Sequence, residues 1–288
     1  VTTTLAALLA KSRRNLAEGG LPDPATDARV LITGLLDLTP TDFVLGADRP
    51  VTDEQCLLVS QAVARRLSRE PVHRILGRRD FHGVQLALSP DTLEPRPDTE
   101  ILVETVLPFA RRYVETHGTA RLLDLGTGTG AIALALLKEV PEMRAIGVDI
   151  APGALETACH NANVNGVDDR FQPLVSHWFD AVDGCFDIIV SNPPYIRSDV
   201  IPDLEPEVRH HDPMVALDGG IDGLDAYRAI AEHAQAHLEE QGIVALEIGY
   251  DQKQAVTSVF AAQGYTLEKS ACDYAGNDRV LVFLRKKA

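Results

Sequence analysis

The sequence predicts an α/β protein: a mostly parallel sheet covered by helices on both faces, preceded by a small helical bundle and a β-hairpin. Three observations predict it. After His117-Gly118 short apolar runs alternate with longer runs of helical period, the signature of βα units. Residues 1–72 carry apolar residues at helical spacing. Between Pro71 and Pro97 the period changes, with Phe81, Val84, Leu86 and Leu88 grouped around Gly83.

In the bundle, Leu5, Leu9, Ser12 and Leu16 share one face, as do Ala28, Leu31, Ile32 and Leu35, and Cys56, Val59, Val63 and Leu67 make a third stripe. The breaks "GGLPDP" and "LTPTD" supply turns and N-caps. "EPRPDTE" opens a helix that aligns Leu102, Val106, Phe109 and Tyr113. Then "RLLDLG" reads as strand, "AIALALLKEV" as helix, "AIGVDI" as strand and "APGALETACHNANVNG" as helix. "FQPLVSHW" and "FDIIVSN" follow as strands, "LDAYRAIAEHAQAHLEEQ" as helix, "GIVALEIG" as strand and "DQKQAVTSVFAAQG" as helix; "YTLEKS" and "RVLVFLRK" close the sheet. The expected domains are 1–72, a helical bundle; 73–97, a hairpin linker; and 98–288, the α/β domain.

Composition excludes several classes. The chain has 288 residues, 45% of them hydrophobic, which fits a packed globular protein and not a disordered one. The longest clean apolar run, Ala131 to Leu137, is far short of the roughly 20 residues that span a bilayer. The start, "VTTTLAALLAKSRRN", has its basic residues after the apolar patch, the reverse of an export signal. Cys56, Cys159, Cys185 and Cys272 show no paired spacing, so neither a zinc site nor a disulfide framework is expected. A cytoplasmic setting follows. The net charge is −15; residues 1–98 carry 12 Lys/Arg against 13 Asp/Glu, so nearly all of the excess lies beyond them. An acidic surface repels phosphate backbones, so direct nucleic-acid binding is not expected.

"DLGTGTG", Asp124 to Gly130, lies between the first strand and the first helix of the α/β domain. Glycines there permit φ > 0 and let backbone N–H groups approach a ligand. Asp149 ends the next strand, where an acid typically holds ribose hydroxyls. Gly126, Gly128 and Ala131 also satisfy the looser dinucleotide pattern G-x-G-x-x-A. A purely structural turn is the bland alternative, and between the cofactors Asp124 tilts the choice: S-adenosylmethionine offers an amino group and a sulfonium to a carboxylate, whereas a dinucleotide offers phosphates, which Asp124 repels.

"VSNPPYIRS" poses the second chemical question. Two adjacent prolines cannot extend a sheet, so the chain leaves it at Asn192 and is held stiff as it does. The side-chain oxygen of Asn192 and the carbonyl of Pro193 can accept both hydrogens of a planar NH₂ group, with Tyr195 stacked on its flat face. The target is then an amide or an exocyclic amine, and its proton leaves after nitrogen has been alkylated, with no strong base required first. The bland alternative, a rigid strand exit without chemistry, loses ground once "DLGTGTG" is found upstream. His210, His211 and Asp212 have ligand-type side chains, but adjacent residues rarely converge on one metal, and none is expected.

Taken in order, "DFHGVQLALSPDTLEPRPDTEILVE", "DLGTGTG", "GVDI", "SNPPYI", "DGGIDGLDAYRAI" and "LEIGYDQ" resemble the bacterial peptide chain release factor glutamine methyltransferases over nearly the whole chain. "NPPY" alone is shared with adenine-N6 methyltransferases of DNA and RNA, which remain the alternative; "RPDTE" and "DGLDAYR" are more specific to the glutamine enzymes. The resemblance implies a Rossmann-like S-adenosylmethionine-dependent methyltransferase sheet. It implies methylation of the side-chain nitrogen of the glutamine in the Gly-Gly-Gln tripeptide of class 1 release factors, with S-adenosylhomocysteine as the second product. Asp124, Gly126, Thr127, Gly128, Thr129, Gly130 and Asp149 would hold the cofactor, with Trp178 near the adenine and Asn192 beside it. Trp178 reads equally as a core plug from the sequence. Asn192, Pro193, Pro194 and Tyr195 would hold the glutamine, with Asn192, Pro193 and Tyr195 catalytic. Phe81 and Arg96 would close over the site from the linker, and Glu247 would face the crevice or serve the fold. Glu94 departs from the pattern, where an apolar residue is expected.

Overall fold

The structure, a computed structural model, describes residues 3–286; the first two residues of the expected 1–72 bundle and the last two of the expected 98–288 domain lie outside the described residues. The chain divides into two compact units. One runs to Arg78 and includes Pro206–His211; the other takes Arg79–Glu205 and the chain from Asp212 on.

The first unit is helical: α1 (Leu5–Glu18), α2 (Pro24–Leu35), α3 (Pro40–Leu45), α4 (Asp53–Leu67) and α5 (Val72–Leu76). Thr4, Asp23, Thr39 and Thr52 cap the first four, each side-chain oxygen accepting a first-turn N–H. On α1 the buried stripe is Leu5, Leu8, Ser12 and Leu16; Leu8 takes the place expected for Leu9, which is half-buried. Arg66 is 5% exposed yet fully engaged, with Nε 2.8 Å from Asp27 and Nη1 2.9 Å from Glu207. Helix α5 continues the bundle past residue 72.

In the second unit β1 (Arg78–Phe81) and β2 (Val84–Ala87) form the hairpin. Its turn, His82-Gly83, has φ of 40° and 77°, the two positive values of a tight turn matched to strand twist. Then come α6 (Glu100–His117), β3 (Ala120–Leu125), α7 (Ala131–Glu139), β4 (Met143–Asp149), α8 (Pro152–Val164), β5 (Phe171–Val175) and β6 (Phe186–Ser191). The short α9 (Pro206–Arg209) groups with the first unit. Last are α10 (Asp225–His233), β7 (Leu238–Glu247), α11 (Lys253–Ala262), β8 (Tyr265–Cys272) and β9 (Asp278–Arg285).

The sheet order is β5-β4-β3-β6-β7-β9-β8, parallel from β5 to β7 and antiparallel at β9 and β8. Alternate side chains feed two cores. Leu122, Ile188 and Ala245 pack with α6, α7 and the hairpin; Leu123, Ile189 and Leu246 pack with α10 and α11. Order reverses at β3: β4 lies on one side of it and β6 on the other. The carboxyl ends of these strands therefore flank a crevice, the usual ligand position in open α/β sheets.

Two expectations are corrected. "LEEQ" is not helical: α10 ends at His233, and Leu238 is already β7, paired with Phe186. Helix-forming residues yield here because Leu238, 3% exposed, belongs to the second core. Phe81 is a core residue, 2% exposed among Val84, Leu86 and Leu102, and packs the hairpin onto the sheet instead of covering the crevice.

Candidate active site

The loop after β3 turns tightly behind one fully buried carboxylate. Gly126, Gly128 and Gly130 have φ of 69°, 55° and 82°, a left-handed run that side chains with a Cβ rarely adopt. Asp124 is fully buried; its Oδ2 accepts from Thr127 Oγ1 at 2.7 Å, while Oδ1 has no hydrogen-bond partner. Burial pushes its pKa up to about 7, opposed by hydrogen bonds from the Thr127 hydroxyl and the Ala133 backbone. A cationic group opposite Oδ1 would reverse that cost. Asp149 holds the loop from β4: Oδ2 accepts from Gly128 N and Oδ1 from Ala151 N, both at 2.9 Å. Asn161 on α8 adds a brace, donating to Thr129 O at 2.9 Å and bonding both backbone groups of Ala87 in the hairpin. These features fit S-adenosylmethionine: a buried carboxylate for a cation, a glycine loop that admits close approach to its backbone, and a second acid at the next strand end. Trp178 follows β5 with φ 49°, partly buried against the second core.

β6 delivers Asn192 to Tyr195 to the same end of the sheet. Asn192 Nδ2 donates to Thr99 Oγ1 at 3.2 Å, which commits its nitrogen to the protein and leaves its oxygen as an acceptor. Pro193 is buried, and Asn192, Pro194 and Tyr195 are half-buried. The Tyr195 hydroxyl donates to Glu247 Oε1 at 3.3 Å. Glu247, at the end of β7, is 1% exposed, and burial raises its pKa to about 7, with Thr99, Arg279 and Tyr195 favouring the charged form. Burial also raises the Tyr195 pKa, and the Glu247 charge adds to it. Tyr195 is therefore a neutral donor at any ordinary pH.

The segment after Tyr195 folds back onto it. Ile196 N donates to Leu217 O and Gly219 N to Ile196 O, at 3.0 and 2.8 Å. A Cβ on Gly219 would lie 2.8 Å from Tyr195 Cα and 2.9 Å from Pro194 O, and one on Gly223 2.6 Å from Tyr195 O. The glycines of "DGGIDG" thus allow backbone to pack on backbone, and Gln252 Nε2 locks the contact by donating to Tyr195 O and Gly223 O at 3.0 and 3.2 Å. Gly219→Ala is expected to displace the clamp, destabilising the chain by about 1–3 kcal/mol and lowering turnover. Thermal melting and a turnover assay check this; both unchanged would contradict the close approach.

Arg96 reaches Asp212, with Nη2 2.7 Å from Oδ2, and adds positive potential at Tyr195. Asp212 is thereby committed to Arg96, with the Glu94 N–H at 3.5 Å from its other oxygen. Glu94 is buried and ion-paired with Arg79, so the departure from an apolar residue is answered by a charge on the hairpin. Sequence reading missed Thr99, Gln252, Tyr227 and Arg279. Thr99 lies inside "RPDTE" and Gln252 inside "LEIGYDQ", but only their tertiary partners show what they do.

Residues 7–77 match the family profile described as the PrmC N-terminal domain, and residues 99–204 the methyltransferase small domain. A release factor glutamine methyltransferase of Agrobacterium fabrum is 53% identical over 98% of this chain and 98% of its own length. One from Rhodospirillum rubrum is 45% identical over 99% of this chain and 86% of its own. Among solved structures, the hMettl16 catalytic domain in complex with a MAT2A 3′UTR hairpin has a TM-score of 0.56 at 14% identity, covering 83% of this chain and 86% of that one. A methyltransferase from Pyrococcus furiosus has a TM-score of 0.50 at 19% identity, covering 79% and 100%. At these identities the likeness extends to the fold alone.

Proposed function

Because the chain belongs to the release factor glutamine methyltransferase family, we propose that it methylates the side-chain nitrogen of the Gly-Gly-Gln glutamine in class 1 peptide chain release factors. The observation that carries the chemistry is the commitment of Asn192 Nδ2 to Thr99, which leaves its oxygen as an acceptor one residue before the Pro193 carbonyl. Two acceptors side by side suit a planar NH₂ group. S-adenosylmethionine, when bound, supplies an electrophilic methyl group. Asp124, Gly126, Thr127, Gly128, Thr129, Gly130 and Asp149 would hold it, with Trp178 and Asn192 bordering it.

An amide nitrogen is a poor nucleophile because its lone pair is shared with the carbonyl; the amide rotation barrier of roughly 18–20 kcal/mol gauges that sharing. Asn192 Oδ1 and the Pro193 carbonyl favour pyramidal nitrogen and stabilise its growing positive charge, each bond contributing about 1.5–3 kcal/mol. The Tyr195 ring covers the amide plane, Pro194 keeps the turn stiff, and Arg96 lends positive potential near the amide oxygen. No group need accept a proton before transfer: the methylated nitrogen carries a positive charge, is acidic, and releases its proton to water afterwards. "NPPY" serves adenine amines equally well in principle, but the family membership and the acidic α/β domain favour the glutamine. The cytoplasm is where a release factor would be met. The test is transfer of labelled methyl to a purified release factor: label on the Gly-Gly-Gln glutamine is expected, and label retained after that glutamine is replaced would refute the reading.

In this reading residues 1–72 recognise the protein substrate, residues 73–97 link, and residues 98–288 perform the chemistry. A glutamine in a short loop offers little surface, whereas specific protein interfaces bury about 1,200–2,000 Å² in total. A chain lacking residues 1–72, once shown to be folded by circular dichroism, is expected to bind cofactor normally. It should lose kcat/KM sharply on a whole release factor and far less on a short Gly-Gly-Gln peptide. Equal loss on both would remove the recognition role.

A further inference from the structure

We infer that Thr99 and Glu247 are positioning residues for the clamp: Glu247 sets the direction of a hydrogen-bond chain that aims the Asn192 oxygen outward and steadies the Tyr195 ring. The inference rests on the reading of Asn192 and Tyr195 as an amide clamp.

The chain has two arms meeting at one carboxylate. On one arm Asn192 Nδ2 donates to Thr99 Oγ1, at 3.2 Å. Thr99 is 3% exposed and has a single hydroxyl proton. Having accepted from Asn192, it has that proton to place, and the inference gives it to Glu247, whose charged form it favours. Glu247 Oε2, buried and without a hydrogen-bond partner, has an acceptor site to spare. On the other arm Tyr195 donates to Oε1 at 3.3 Å. An ionised Glu247 can only accept, so every proton in the chain points toward it. The Asn192 nitrogen must then face Thr99 and its oxygen the open side. A protonated Glu247 can donate to Thr99, which frees Thr99 to donate to Asn192 in turn. The amide then turns over and offers a nitrogen where the substrate amide needs an oxygen.

The groups around Glu247 hold this balance close. Arg279 on β9 and Asp98, beside Thr99, act on it with opposite sign, and the hydroxyls of Tyr195 and Tyr227 complete the surroundings. Tyr227 on α10 donates to the backbone oxygen of Glu247 at 3.0 Å and pins the end of β7. Burial moves the Glu247 titration from the acidic range to about 7. Methyl transfer at saturating cofactor should therefore fall as pH drops through that value. Titration of the two buried carboxylates does not add unfolding to this loss. The folded chain keeps the Asp124 and Glu247 protons to higher pH than the unfolded chain does, so both groups favour the folded state as pH falls from about 7 toward the ordinary carboxyl range.

The test compares wild-type protein with Thr99→Val, Thr99→Ser and Glu247→Gln. Thr99→Val should lower kcat roughly 10- to 100-fold, the scale of one or two hydrogen bonds, with little change in KM for the cofactor. Thr99→Ser should restore most of it. Glu247→Gln should abolish the acid limb of the kcat profile. Wild-type kcat in Thr99→Val, or an unchanged acid limb in Glu247→Gln, would overturn the inference. A second readout needs no acceptor substrate: the Asn192 side-chain NH₂ resonances of ¹⁵N-labelled protein should titrate near pH 7 and stop titrating in Glu247→Gln. If the wild-type protein transfers no methyl to a release factor, the proposed function fails, and this titration still decides the inference: its absence overturns it, its presence supports it.

Discussion

Asn192→Ala is expected to slow methyl transfer by orders of magnitude while the chain stays folded and still binds cofactor. The side chain is half-buried and its one protein hydrogen bond is to Thr99, so truncation leaves only the Thr99 hydroxyl to find a new partner. That cost is small for stability, about 1 kcal/mol. The cost to the reaction is larger because the lost acceptor acts as charge grows on nitrogen, so kcat falls rather than KM rising. Loss of one charge-assisted bond contributes about 1.5–3 kcal/mol. Misalignment of nitrogen forfeits part of the roughly 7–11 kcal/mol that orientation can supply. Together these predict a fall of about 10²–10⁴ in kcat. Single-turnover kinetics with saturating release factor measures it, with calorimetry for cofactor affinity and melting for the fold. Turnover within a few-fold of wild type would remove Asn192 from the clamp.

Asp124→Asn carries the second large effect, and its two consequences have opposite signs. Asparagine is nearly isosteric and keeps an acceptor for the Thr127 hydroxyl, which now lies 2.7 Å from Oδ2. It removes the charge that burial makes costly and that raises the Asp124 pKa to about 7. The chain should therefore melt no lower than wild type at neutral pH and above. Cofactor affinity should nevertheless drop by roughly 10- to 100-fold, the scale of a lost hydrogen bond between charged groups. Titration calorimetry alongside thermal melting separates the two. Unchanged affinity would mean that the buried oxygen does not face the cofactor's cation. Asp149 is a less clean probe, because both its oxygens hold backbone N–H groups of the loop and its removal would loosen Gly128 and Ala151 together.

Much of this arrangement was legible in the residues because local chemistry and tertiary context agree. The parallel strands read as unbroken apolar runs because both faces of the sheet are covered, as "FDIIVS" is in β6. The prolines after Asn192 mark a strand end because no ladder can continue through them. Where local and tertiary terms conflict, the reading failed. "HLEEQG" has the residues of a helix, but Leu238 pairs with Phe186 some 50 positions earlier and is drawn into the sheet. Phe81 sits in a motif that resembles site residues, yet its bulk fills the core beneath the hairpin. Glu94 looked misplaced until Arg79 was found across the hairpin. The pairs Asn192–Thr99 and Tyr195–Glu247 join three separate stretches of sequence, and no spacing rule links them.

The most direct test of the central account, that the clamp holds a protein amide and not a base amine, is a competition for labelled methyl. One reaction contains a class 1 release factor and total cellular RNA and DNA at saturating cofactor. The account predicts label in the release factor, on the glutamine nitrogen of Gly-Gly-Gln, with none above background in nucleic acid. Label on adenine with an unmodified release factor would contradict it.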